Sequence, residues 1–207
     1  MNSGRDTRER ILASERDLIF ARSYAEVGVA AICKNADVKK GSFYHFFPSK
    51  QELTLAVIDE FLIEFKQSIY AEAFHASLSP MGRFRGLGEL VYRFQKGIAD
   101  TTGHTLGCPF GNIAVEMSTQ DEVLRLKIDA IFSQLEGLFR ETLSEAVARG
   151  EIGDVDIDTT ANAMIACQVA INLFDWDRAD FIDGSDDWVG AASFLPRARW
   201  ADFNLFI

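Results

Sequence analysis

Three cysteines, four prolines and three histidines in 207 residues exclude several kinds of protein at once. Cys33, Cys108 and Cys167 are too few and too widely spaced for a disulfide framework or a zinc pattern, so a reducing setting is expected. His104 and Cys108 have no third ligand near them, and no nucleotide or phosphate loop is present. Neither a metal nor any other cofactor is therefore expected. No apolar run approaches the ~20 residues needed to span a bilayer. Arg5, Asp6, Arg8, Glu9 and Arg10 interrupt the start, which argues against a signal peptide. A cytoplasmic protein with no membrane partner is expected. The scarcity of proline, the near absence of strand-like alternation and the lack of any internal repeat point to an all-α fold.

Charge of one sign is also short, but only in part of the chain. The whole carries −10, which taken alone argues against a nucleic-acid partner. Residues 1–50 hold nine Lys/Arg and six Asp/Glu, a net +3, whereas the remainder holds 12 and 25, a net −13. A mildly basic head on an acidic body fits a DNA-binding module joined to a separate regulatory domain. The division is expected as 1–52 for the head and 53–207 for the body.

What is present is concentrated between Val29 and Glu52. Val29, Ala30, Ile32 and Cys33 give a short helix to Asn35 one buried face. Ala36-Asp37-Val38 reads as a turn, with Asp37 able to take a left-handed backbone at modest cost. A second helix runs from about Lys39 to Phe46 or Phe47, anchored by Phe43 and Phe47. Pro48 stops it, and Ser49 with Glu52 reads as a capping box for the next helix. Two helices across a short turn make the helix-turn-helix layout, whose second helix enters the major groove. Lys39, Lys40, Ser42, Tyr44 and His45 are left facing outward, with the chemistry to meet phosphates or base edges. Gly41 leaves the helix surface bare, so a backbone could approach DNA closely. An ordinary helical pair with a solvated basic face satisfies the same pattern.

Ile11-Leu12, Leu18-Ile19, Tyr24, Ile32, the run Val38-Lys-Lys-Gly-Ser-Phe-Tyr-His-Phe-Phe-Pro-Ser-Lys50, and Leu53 resemble the N-terminal domain of tetracycline-repressor (TetR) family regulators. The resemblance implies a three-helix DNA-binding domain in which Lys40, Gly41, Ser42, Tyr44 and His45 touch bases or phosphates. It also implies that Lys50, in the first turn of the following helix, holds a phosphate. Glu15 stands where a small apolar residue is common, Ser23 and Asp37 where glycine is common, and Gly28 where a Ser or Thr cap is common. Lys39 replaces a usual small or polar residue. These departures bear on sequence preference and local stability, not on the fold.

Beyond residue 50 the chain reads as successive helices. One runs from Ser49 to about Phe74. A second starts at Ser79-Pro80 and runs to about Gly97. After the break at Gly107-Asn112, another reaches Met117. Ser118 or Thr119 then caps a helix to Arg149, closed by Gly150, and Asp158 caps a last one to about Phe174. The ARGEIG…DID stretch at 148–158 resembles TetR-family effector domains, which implies a two-fold homodimer. The resemblance fails from Asp175 to Ile207, where Trp188, Phe194, Trp200, Phe203 and Phe206 are expected to pack on the body or on a partner subunit.

Phe61, Phe65, His104, Cys108, Phe110, Asn112, Met117 and Phe132, with Phe84 and Phe94, are the candidates for an effector pocket. Many aromatics with few polar groups suit a small apolar or aromatic molecule, though a plain helical core would read the same. Cys108, at a helix start before Pro109, is expected to be an N-cap whose thiol is acidified by the helix dipole. The reading that follows is a ligand-responsive DNA-binding regulator, a repressor of a palindromic operator and not an enzyme. The alternative is a thiol-based redox or electrophile-processing protein using Cys108; a small buried residue at a helix start is the plainer view of that cysteine.

Overall fold

A computed structural model describes residues 3–21, 23–103 and 107–171, and all regular structure among them is helical. The elements are α1 (Ser3–Ala21), α2 (Val29–Asn35), α3 (Lys40–Phe46), α4 (Lys50–Phe65), α5 (Ala71–Ala73), α6 (Pro80–Thr102), α7 (Pro109–Met117), α8 (Glu122–Ala148) and α9 (Ile157–Ile171). His104 and the whole of 175–207, with its expected packing, lie outside the described residues.

The described residues form two compact units, each drawn from two stretches of chain. One takes residues up to Ser68 together with Cys108–Ile131. The other takes Ile69–Gly107 and what is described from Phe132 onward. The first unit thus holds α4, α7 and the start of α8 along with α1–α3, a grouping that differs from a division at residue 52. Its core includes Ile11, Ile32, Phe43, Leu53, Ile58, Ile113, Leu124 and Ile128, all at most 2% exposed. In the second unit Phe74, Phe84 and Phe139 stack and meet edge to face, with centroids 5.3–6.2 Å apart. Arg83 reaches Glu145 at 2.5 Å, and the buried Gln95 side chain donates to the Gly107 carbonyl at 2.9 Å.

Most helix boundaries follow local chemistry. The side chains of Ser49 and Ser79 accept from the N–H of Glu52 and Gly82, which opens α4 and α6. Gly150 has φ +70, and the bonds Gly150 N–H to Val147 and Glu151 N–H to Ala146 close α8 in a Schellman motif. Four expectations need correction. The segment after α4 contains a π-helical turn, Lys66–Tyr70, before α5. α6 continues past Gly97 to Thr102. α8 is capped by Asp121, not by Ser118 or Thr119: its carboxylate accepts from Val123 and Leu124. α9 is capped by Asp156, which accepts from Thr159, while Asp158 sits in the first turn and pairs with Arg140 at 2.7 Å.

Gly28 is the N-cap of α2, extended at φ −90 and ψ 158, and offers no side-chain acceptor. A Cβ there would meet nothing within 4 Å. Gly28→Ser should therefore supply the missing cap and reduce the freedom of the unfolded chain, adding about 0.5–1 kcal/mol. A urea midpoint equal to or below that of wild type would show that the new hydroxyl makes no cap.

Candidate nucleic-acid interface

The interface is built on the α2–α3 turn. Asp37 takes φ +51, the one left-handed non-glycine residue among those described. Val38 N–H then bonds the Cys33 carbonyl at 2.9 Å and Asp37 N–H bonds Lys34 at 3.3 Å, a Schellman closure made without glycine. The Arg10 guanidinium, from α1, fixes the turn from outside. Its Nε donates to the Ala36 carbonyl at 3.0 Å and its Nη2 to the Asp37 carbonyl at 2.5 Å. These charge-assisted bonds satisfy carbonyls that the helix end leaves open.

α3 leaves this turn with two phenyl rings inward. Phe43 is fully buried and Phe47 is 4% exposed, with ring centroids 6.2 Å apart. The helical repeat then turns the intervening positions outward. Lys39, Lys40, Gly41, Tyr44 and His45 are exposed and Ser42 is half-buried. Tyr44 keeps 54% of its surface in solvent and rests its ring edge on Phe43 at 5.2 Å. A Cβ at Gly41 would meet nothing within 4 Å, so the bare patch expected there exists.

Lys50 is placed differently from those six. Its ammonium donates to the Tyr24 carbonyl and lies 3.6 Å from the centroid of the Tyr24 ring. Burial holds its pKa below the usual lysine value, against the opposing pull of Glu15 and Glu116. The sequence offers no signal for this capture, because Tyr24 is far off in the chain and Glu116 farther still.

The expected effector residues divide between the units. Phe61, Phe65, Cys108, Phe110, Asn112 and Met117 belong to the first and Phe132 to the second. Phe61, Phe110 and Met117 are buried, Phe65 and Phe132 half-buried and Asn112 exposed. Phe65 and Phe110 meet edge to face at 6.1 Å. An open groove of about 550 Å³ in the first unit is lined by Glu52, Leu55, Ala56, Asp59, Val123, Leu126 and Lys127, none of them an expected effector residue. Cys108 does cap α7, its Sγ accepting from the Gly111 N–H at 3.4 Å. The expected acidic thiol is nevertheless overturned. Burial pushes the Cys108 pKa up, and the bonds from Gly111 and Phe110 offset this only in part. Among the described residues no His/Cys/Asp/Glu cluster could hold a metal ion, and no helix is long and apolar enough to cross a membrane.

Comparison with known proteins agrees with this geometry. Residues 11–57 match the model of bacterial regulatory proteins of the tetR family, and residues 85–174 match the tetracyclin repressor-like C-terminal domain. The chain belongs to the TetR family. It is a helix-turn-helix, DNA-binding transcriptional regulator. A model of the DsrE/DsrF/DrsH-like family also matches residues 158–206, overlapping the end of the C-terminal domain and covering the stretch where the TetR resemblance fails. An uncharacterised HTH-type transcriptional regulator from the lacX 3′ region of Lactococcus lactis subsp. lactis is 31% identical over 142 residues, 68% of this chain and 69% of the relative. The HTH-type transcriptional repressor DhaR of Mycobacterium sp. strain GP1 is 28% identical over 160 residues, 77% of each chain. The crystal structure of a regulatory protein TetR from Rhodobacter sphaeroides superposes with a TM-score of 0.69 at 27% identity, covering 80% of this chain and 86% of that one.

Proposed function

We propose that this TetR-family regulator is a ligand-responsive repressor that binds a two-fold operator as a homodimer. Lys39, Lys40, Gly41, Ser42, Tyr44 and His45 meet one major groove per subunit, and Lys50 meets a phosphate when its ammonium leaves the Tyr24 carbonyl. The observation that carries the reading is the outward face of α3. A tyrosine more than half exposed, on the same outward face as two lysines and a histidine, packs against the buried Phe43 ring. Such a face is rigidly held yet makes few contacts of its own, which suits a surface that reads another molecule. The effector is a small apolar or aromatic molecule taken up by the body near Phe61, Phe65, Phe110 and Met117. The protein works in the cytoplasm and carries out no catalysis of its own.

Selection of random-sequence duplex DNA by the purified protein, at about 150 mM salt to suppress non-specific binding, tests this directly. The expected product is an inverted repeat with half-site centres about one helical turn, roughly 34–36 Å, apart or a multiple of it. Recovery of no motif from folded protein would end the sequence-specific reading.

A further inference from the structure

Glu116 lies on α7, about ninety residues beyond the loop that joins α1 to α2, yet its carboxylate binds that loop. Its Oε2 accepts from the Tyr24 N–H at 2.8 Å and its Oε1 from the Ala25 N–H at 2.6 Å. Two charge-assisted bonds to successive amides fix the position and the plane of the carboxylate. On its carbonyl side, Tyr24 receives the Lys50 ammonium, which also lies over its ring. The loop is therefore gripped by α7 through its N–H groups and by α4 through a carbonyl and a π face. The charge of Glu116 acts on Lys50 in the same sense, as does that of the buried Glu15.

We propose that Glu116 is a positioning residue for Lys50: by holding the Tyr24 and Ala25 amides it keeps the carbonyl and ring where they capture the ammonium, and so governs whether Lys50 is free to meet a DNA phosphate. The inference rests on the DNA-binding reading above and adds to it a specific link from α7 to one phosphate contact. A lysine on its four-carbon stem carries a mobile point charge, so its availability is set by what competes for the ammonium. Here the competitor is the Tyr24 carbonyl and ring, and Glu116 holds that competitor in place.

Glu116→Gln removes the charge and leaves one acceptor oxygen for two N–H groups, with an NH₂ facing the other. Glu116→Asp keeps the charge but shortens the reach to the same amides. Affinity for the selected operator is measured for both variants across a salt series, with and without Lys50→Ala. Release of Lys50 should tighten operator binding and steepen the plot of log affinity against log salt by about 0.9 for each half-site, the value of one added phosphate contact. The increment should vanish in the Lys50→Ala background. A slope equal to or shallower than wild type in Glu116→Gln, or an increment that persists without Lys50, would overturn the inference while leaving operator recognition intact. Wild-type protein that binds no DNA at all would instead remove the DNA-binding reading, and the inference with it.

Discussion

Glu15→Gln should leave the protein clearly more stable than wild type at pH 8, and more stable by less than about 1 kcal/mol at pH 5. Glu15 is fully buried in the first compact unit. The Thr54 hydroxyl donates to its Oε1 at 2.6 Å, while Oε2 has no hydrogen-bond partner among the described residues. Burial raises its pKa from 4.5 to about 7, opposed by the Thr54 bond and by the charge of Lys50. The other ionisable groups coupled into this network are Tyr24, Glu116 and Asp121. A carboxyl group whose pKa is raised on folding binds its proton more tightly in the folded state. Between about pH 4.5 and pH 7 the folded protein keeps a proton that the unfolded chain releases, so stability falls as pH rises through that window. The full cost is reached above about pH 7 and amounts to roughly 3 kcal/mol. Glutamine matches the protonated acid in shape and cannot ionise, so its advantage over wild type should grow by about 2–3 kcal/mol from pH 5 to pH 8. Urea unfolding at the two pH values measures this, and parallel behaviour of the two proteins would show that Glu15 is not buried as a neutral acid.

Tyr44→Ala should weaken operator binding by about 1–3 kcal/mol per half-site, roughly fivefold to more than a hundredfold for each, while changing stability by only about half a kcal/mol. The asymmetry follows from exposure. More than half of the tyrosine surface is in solvent, its fold contact is one ring edge on Phe43, and alanine is the better helix former. Phe43, one residue earlier and fully buried, would show the reverse pattern if truncated, losing the fold first. Measurement at physiological salt is essential, because the lysines alone support non-specific binding when salt is low. An operator affinity equal to wild type would remove α3 from the reading surface.

The head was legible in the sequence because its determinants are close together. α2 falls on Val29–Asn35 as its apolar spacing predicts, α3 differs from expectation by one residue, and the left-handed Asp37 lies where the turn requires it. The departures arise where distant residues decide. Ser118, Thr119 and Asp121 are all competent caps, and local sequence does not rank them. Asp121 also receives the Gln51 side-chain amide at 2.8 and 2.9 Å, a contact set by α4. Asp156 and Asp158 compete two residues apart in the same way, and Arg140 engages the second. For Cys108 the local geometry was read correctly and the sign of the pKa shift was not, because helix-end stabilisation of a thiolate is local whereas burial comes from packing. Glu15 stood out as unusual, but its depth did not. The grip of Glu116 on Tyr24 and Ala25 has no counterpart in any sequence window.

Neither compact unit is a continuous stretch of chain, and this gives the protein a schedule. The first needs Cys108–Ile131 to complete the surroundings of residues 3–68, including the carboxylates that bind Tyr24, Ala25 and Gln51. At about 5–20 residues per second, roughly 3–13 s pass on the ribosome between the synthesis of Ser68 and that of Ile131. During that interval the side of α4 that carries Gln51 and Asp59 waits for Asp121 and Lys127, while the first half of the second unit emerges and waits for its own. The helix-turn-helix is thus made well before its own unit can close, because closure waits for the chain to reach Ile131.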